Sequence, residues 1–349
     1  MSESGGHRSI TFVVPGPIVT RTGGSIYDAR IVDGLGARGV SVDVIELGAS
    51  SDDVQTAAVA LSALPDGTVA VIDGLILPAV ADVVEREASR LQIVALVHLP
   101  RAADVTLDSQ FAERLREREH RALRAARHII VTSPATVPML ADYRLPAGSV
   151  SVVEPGTDGA AIARGSGGNE VHLLCVAAVH AGKGHDILLH ALAAVPMRNW
   201  RLICAGSLTR DAAAVNRVRQ TIRALGLDDR VGLRGELNAA EIEECYDRAD
   251  VFVLATLQET YGMAVAEALA HGLPVVSTTT GAIPSLVDSR AGILVPPGDS
   301  DALAIALARI IDDAGLRVSL AQGARRARER LPTWDDACTK FGQCLDALA

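Results

Sequence analysis

Strand-length apolar runs and helix-length segments alternate along almost the whole chain, and that alternation restricts it to parallel sheets covered by helices. "ITFVVPG" is a β-branched run closed by Pro-Gly; the loop "PIVTRTGG", the helical "SIYDARIVDGLGARG" and a second strand, "VSVDVIELG", follow it. The pattern continues through "TVAVIDGL", "ADVVEREASR", "QIVALVHLP", an Arg/Glu-rich helix around 111–127, "HIIVTS" and "VSVVEPG". It breaks at "GTDGAAIARGSGGNE", whose glycines and serine read as a hinge or linker. It then restarts with "VHLLCVAAV", "HDILLHALAAV", "WRLICAGS", "AAVNRVRQTIRALGL", "VGLRGEL", "AAEIEECYDRA" and "DVFVLAT". The last residues, "TWDDACTKFGQCLDALA", predict an amphipathic helix with Trp334, Phe341 and Leu345 available for packing.

With 349 residues the chain exceeds one small core, and two domains of the usual size account for it. The expected division is 1–160, 161–330 and a terminal helix, 331–349, returning toward the first domain. The fold class is α/β, with two facing domains and a cleft between them.

Charge narrows the function. A formal net charge of -9 disfavours a general nucleic-acid binder, and aromatic residues at 3% do not supply a stacking surface for single strands. The first residues, "MSESGGHRS", are polar, and the richest apolar stretch, "TVAVIDGLILPAVADVV", is cut by aspartates before a membrane span is complete. A cytoplasmic protein is expected. The helix "ERLREREHRALRAAR" could touch an anionic acceptor or a membrane surface, but Glu113, Glu117 and Glu119 interleave its arginines and a solvated face is preferred. Five cysteines are scattered singly, with no close pair in sequence, and are expected to be reduced core thiols.

Ligands of open α/β sheets bind beyond the carboxyl ends of the strands, so the loops there carry the candidates. Gly23 and Gly24 lack the Cβ that would keep an anion from the backbone amides, or they form only a tight turn. Glu46 ends the next strand at a distance suited to a ribose-binding carboxylate, but "PGPIVTRTGG" lacks the G-x-G-x-x-G spacing, which argues against a nicotinamide or flavin dehydrogenase. His98 lies at the end of "QIVALVHLP", where the strand delivers its side chain to the cleft edge, or it is a structural histidine. Lys183 stands between two glycines in "HAGKGHD", after a strand and before a helix, where an ammonium can meet a phosphate.

The segment "ETYGMAVAEALAHGLPVV", residues 259–276, is the most informative. A helix starting near Tyr261 offers the amides of Gly262, Met263, Ala264 and Val265, with the positive end of its dipole, to an anion such as a diphosphate. Glu259 precedes them, within reach of a sugar hydroxyl. Glu267 sits among apolar residues, where it either answers hydroxyl groups or pairs with His271 one turn on.

"ETYGMAVAE" resembles the E-x7-E element of retaining glycosyltransferases of family 4, enzymes of the GT-B fold with two facing Rossmann-like domains. "GLPVVSTTTGAIPSLV" and "GILVPPGDSDAL" resemble the segments that follow it there, "HAGKG" the phosphate-binding Lys-Gly turn, "VVEPGTD" the strand-end motif between the domains, and Gly23-Gly24 the first loop. The resemblance covers nearly the whole chain. It implies an N-terminal acceptor side and a C-terminal donor side, with a nucleotide diphosphate sugar as donor and a hydroxyl-bearing acceptor. It also implies that Glu259 contacts the donor hexose, Glu267 the ribose and Lys183 the diphosphate, with His98 beside the sugar. No cofactor or obligatory metal is implied, and no metal ligands are expected. Two departures stand out: Ala177-Ala178 replaces the Gly-Arg whose arginine also binds diphosphate, and Ser285 replaces a common glutamate. Arg210 and Arg21 are the candidate substitutes for the missing cation. A sugar-nucleotide epimerase or phosphorylase, or a catalytically silent sugar-nucleotide-binding protein, are the competing readings.

Overall fold

A computed structural model describes residues 9–47 and 52–348, so most of the polar N-terminal stretch lies outside the described residues. The chain divides into two compact units, Met1–Gly156 with Pro332–Ala349, and Thr157–Leu331. In the first unit, β1 (Ser9–Val14), α1 (Gly23–Ala37), β2 (Ser41–Glu46), α2 (Asp52–Ala63), β3 (Val69–Asp73), α3 (Ala81–Glu87), β4 (Gln92–Val97), α4 (Ser109–Ala125), β5 (His128–Val131) and β6 (Val150–Val152) succeed one another. All of the paired strands run parallel, in the order β2-β1-β3-β4-β5-β6. Because helices cover both faces, the inner strands read as continuous apolar runs; β3 is buried at every position.

The second unit repeats the plan. It comprises β7 (Val171–Val176), α5 (His185–Ala194), β8 (Trp200–Ala205), α6 (Ala212–Ala224), β9 (Val231–Gly235), α7 (Ala239–Arg248) and β10 (Val251–Leu254). Then come α8 (Met263–Ala270), β11 (Val275–Thr278), α9 (Ile283–Leu286), β12 (Gly292–Val295), α10 (Ser300–Asp312) and α11 (Ala314–Ala327). Its parallel sheet is ordered β12-β11-β10-β7-β8-β9.

The terminal helix, α12 (Trp334–Asp346), belongs to the first unit. Thr333 and Asp336 form a capping box at its start. Phe341 is fully buried against Phe12, with ring centroids 5.8 Å apart, and Leu345 and Cys338 join the same core. Burying the phenylalanine alone is worth roughly 1.5–3 kcal/mol. Gly156 lets the backbone before this helix approach closely, since a Cβ there would lie 2.2 Å from the Trp334 nitrogen.

Two expectations are refined. The boundary between the units falls at Gly156–Thr157, where the stretch read as a hinge or linker begins; the rest of that stretch is irregular but strapped to the second unit: Ala163 and Gly165 amides donate to the His271 and Asp247 carbonyls, each at 2.9 Å, and Arg164 pairs with Asp247. Its glycines serve backbone bends, with positive φ at Gly165 and Gly167, instead of slack. The helix α4 is not a uniformly solvated face. Glu119 is wholly buried and accepts bonds from the Arg101 and Ala102 amides and the Tyr143 hydroxyl. Two of its arginines bind their own unit, Arg121 on Asp82 and Glu85 and Arg118 on the carbonyls of Pro78 and Ala79, while Arg114, Arg116 and Arg124 are exposed.

Close packing of α11 on the loop before β12 depends on a glycine. A Cβ at Gly323 would lie 1.6 Å from the Arg290 carbonyl oxygen. Gly323→Ala is therefore expected to destabilise the protein by about 1–3 kcal/mol despite alanine's better helix propensity, read as a lower midpoint in urea unfolding.

Candidate functional site

In each sheet the first strand has neighbours on both sides whose chain directions of winding differ, and the crevice at that point is where loops diverge. In the second unit the point lies between β7 and β10. The loop after β7 carries Lys183, and the loop after β10 carries Glu259.

These two loops are laced together by backbone. The Leu257 amide and the Thr256 hydroxyl both donate to the Gly182 carbonyl, at 2.8 and 3.2 Å. Gly184 has φ +64, and a Cβ there would lie 2.0 Å from the Ala255 oxygen, so only glycine permits the approach. The lacing places the Lys183 ammonium in an ion pair with the Glu259 carboxylate, both side chains mostly buried. Gly281, with φ +54, packs against the Glu259 and Thr260 carbonyls, and the Ala282 amide donates to Thr260.

The helix α8 begins at Met263, two residues later than the sequence suggests, with Gly262 as its N-cap in a left-handed conformation and no capping side chain. The Val265 and Ala266 amides both donate to the Gly262 carbonyl, at 2.9 and 3.0 Å. Val265 thus drops out of the expected set of outward amides, because the left-handed turn at Gly262 folds its carbonyl into the first turn. Met263 and Ala264, four and five positions after Glu259, are left without an intrahelical acceptor.

Glu267 is half-buried and accepts a bond of 2.9 Å from the Tyr246 hydroxyl. Burial and the nearby Glu267 charge hold the Tyr246 hydroxyl well above its usual range, so it stays a donor. The alternative pairing of Glu267 with His271 on an open face is not what forms. His271 is buried, stacks on Tyr246 at 4.5 Å and directs Nδ1 to the Ala161 carbonyl and Nε2 toward Glu243. Ala177 and Ala178 follow the end of β7, and the Ala177 and Val179 amides bond to the Ala205 and Ser207 carbonyls; the loop after β8 leads to Arg210, which is exposed.

In the first unit the corresponding point lies between β1 and β3. Gly23 and Gly24 open α1 behind the Thr22 cap, whose hydroxyl accepts from the Ser25 amide. Gly24 packs on His98: a Cβ there would lie 3.2 Å from the imidazole Cδ2. His98 Nε2 bonds to Asp28 Oδ1 at 3.0 Å and lies 3.7 Å from Asp73 Oδ2. The loop beyond His98 is held by buried Glu119. Glu46 is spent on the Ile18 amide, at 2.9 Å, and so ties the first loop to β2.

Asp28 and Asp73 went unnoticed in the sequence. Asp73 ends β3, the position where strand-end logic applies, whereas nothing local marks Asp28 within an apolar-patterned helix. Burial lifts the Asp73 carboxyl to about 7, against the opposing pull of His98 and with a further rise from Asp28. Burial alone would lower His98, but the Asp28 charge and hydrogen bond, with Asp73 behind them, raise it above its ordinary value. Two sets of side chains bring ligating atoms within 4.8 Å of one another: Asp28, Asp73 and His98, and separately Cys175, His185 and Cys204.

Residues 170–313 match the family model described as glycosyl transferases group 1. A D-inositol 3-phosphate glycosyltransferase of Xylanimonas cellulosilytica is 33% identical over 168 residues, 48% of this chain and 39% of that one. A mannosylfructose-phosphate synthase of Agrobacterium fabrum is 27% identical over 71% of this chain and 58% of its own. The chain spans about half the length of the curated relatives it matches. Among solved structures, sucrose-phosphate synthase from Thermosynechococcus elongatus superposes with a TM-score of 0.85 at 22% identity, covering 98% of this chain and 99% of that one. HepE of Anabaena, solved with UDP and glucose, gives 0.79 at 19% identity, covering 98% and 100%. The fold is therefore GT-B, and the glycosyltransferase resemblance read from residues 259–276 is borne out. Among the described residues, no helix is long and apolar enough to cross a membrane.

The buried acid cluster has a measurable signature. The folded chain keeps at Asp73 a proton that the unfolded chain releases above 3.8, until pH reaches about 7. This contribution to stability is present at low pH and is lost as pH rises through that window; raised His98 acts in the same sense. Asp73→Asn is expected to gain stability relative to the parent protein as pH rises from about 4 to about 7. Melting temperatures of the two proteins, measured across that range, check it; a constant difference contradicts the assignment.

Proposed function

We propose that the chain is a retaining glycosyltransferase that moves a hexose from a nucleotide diphosphate sugar to a hydroxyl-bearing acceptor. The observation that carries the reading is the convergence of the Lys183 ammonium, the Glu259 carboxylate and the uncapped start of α8 on two laced loops. A cation and free amides suit a diphosphate, and a carboxylate beside them suits sugar hydroxyls. The match of residues 170–313 to group 1 glycosyltransferases supports it, as does the similarity to proteins named D-inositol 3-phosphate glycosyltransferase and mannosylfructose-phosphate synthase.

In this reading Lys183 and the Met263 and Ala264 amides hold the diphosphate, Glu259 orients the hexose, and Glu267, steadied by Tyr246, receives the ribose hydroxyls. Gly23, Gly24 and His98 act on the sugar side, with Asp28 fixing the ring nitrogen that His98 turns away from it. The acceptor oxygen attacks the anomeric carbon on the face from which the diphosphate departs. As the new C–O bond forms and the old one breaks, a leaving phosphate oxygen takes the acceptor's proton. No nucleophilic side chain is needed. The charge that develops on the diphosphate is met by Lys183 and the helix start, the work a divalent ion does in other transferases. Action in the cytoplasm is part of the proposal.

Lys183→Ala and Glu259→Gln are each expected to lower transfer by at least ~100-fold while melting cooperatively, because each removes a group aimed at developing charge or at the hexose. Near-normal turnover in either purified variant would overturn the site. The donor is found by thermal shift with UDP-, GDP-, ADP- and dTDP-sugars: the bound one raises the melting temperature, and Glu267→Gln reduces that rise. A flat screen counts against the reading as a whole.

A further inference from the structure

Cys175 and Cys204 stand 29 positions apart in sequence, but β7 and β8 pair them directly in register. Adjacent residues on neighbouring parallel strands point to the same face of the sheet. That face is covered by α5, whose first residue, His185, turns its ring down onto it. His185 Nε2 lies 3.9 Å from Cys175 Sγ, and the three ligating atoms all fall within 4.8 Å of one another. All three residues are buried: Cys175 is 1% exposed, Cys204 4% and His185 4%. Cys175 and Cys204 are free, buried thiols as the sequence suggests, and register sets the two side by side.

We propose that Cys175, Cys204 and His185 form a binding site for one thiophilic d10 cation, Zn2+ in the first instance. Bonds of about 2.3 Å to sulfur and 2.0–2.1 Å to nitrogen, opened to a trigonal or tetrahedral angle, set sulfur and nitrogen roughly 3.5–3.8 Å apart. The observed separation needs only a small contraction to reach that range. Charge agrees as well. Zn2+ with two thiolates and a neutral imidazole sums to zero, the only total a deep core tolerates cheaply.

His185 presents Nε2 to the sulfurs, while its Nδ1 is buried without a hydrogen-bond partner among the described residues.

His185 follows Gly184 and Lys183 directly in the chain. An ion joining His185 to two sheet residues would therefore anchor the turn that presents Lys183. It would lie beneath the donor loops and take no part in the transfer step. The proposal does not rest on the proposed function, since metal binding is read without any sugar nucleotide.

The experiment uses the full chain carrying Cys245→Ser and Cys344→Ser, which removes the half-buried thiols. The protein is stripped with chelator under reducing conditions, offered Zn2+, Cu+ or Co2+ separately, and passed through gel filtration. One Zn2+ per chain, a higher melting temperature and thiolate-to-cobalt charge-transfer absorption are expected, all lost in Cys204→Ala and in His185→Leu. Retention of Cu+ and not Zn2+ keeps the site and reassigns the ion. No retained ion, or equal retention in Cys204→Ala, overturns the proposal. So does a parent protein two mass units light, which would mean that the pair closes as a disulfide. If Cys204→Ala fails to fold, the cobalt spectrum of the parent decides: absorption without a sulfur charge-transfer band overturns the site.

Discussion

A parallel sheet cannot close on itself by hairpins; every strand must be joined to the next by a crossover, and the first strand of each unit ends up flanked on both sides. That constraint places β7 between β8 and β10, and β1 between β2 and β3. At such points the connecting helices leave in opposite directions and the loops part, so whatever chemistry the chain has is collected there. Lys183 and Glu259 meet at one of these points, and Asp28, Asp73 and His98 at the other. Both clusters follow from strand order before any side chain is considered.

The two clusters handle charge differently. At the second unit's loops an ammonium and a carboxylate neutralise each other at the rim, each with some exposure to water. Such a pair can be exchanged for ligand charge at modest cost, because neither member is fully desolvated. In the first unit two carboxyls are almost wholly buried around an imidazole. There the structure relieves repulsion by keeping a proton on Asp73 and by raising His98, so the cluster is rigid in geometry but sensitive to pH. The glycines make these arrangements reachable. Gly184 and Gly281 let backbones approach where a Cβ would collide, and Gly24 lets α1 rest on the His98 ring.

Most of the candidate site was legible because it lies in short contiguous segments. "HAGKGHD" and "ETYGMAVAE" each follow a strand and hold a turn glycine and a charged residue, so the local physics was readable. Three details were not. Val265 lost its outward amide because Gly262 adopts a left-handed turn, at which a Cβ would lie 3.2 Å from Ile283. Glu267 took Tyr246 as its partner instead of His271, since α7 brings the tyrosine from 21 residues away. Glu119 was read as one of three solvated acids, yet its place on α4 faces the backbone after His98.

The sequence by itself determined the alternation of strands and helices, the doubling of the fold and the identity of Lys183, Glu259 and His98 as strand-end residues. These properties are local, written in periodicity and in the glycines that punctuate it. Only the tertiary structure decided which distant residues share a site: Asp28 with Asp73 around His98, Tyr246 with Glu267, and Cys175 with Cys204 under His185. The physical reason is that strand order and register, which fix those encounters, are set by the packing of whole layers and leave no mark on the residues they bring together.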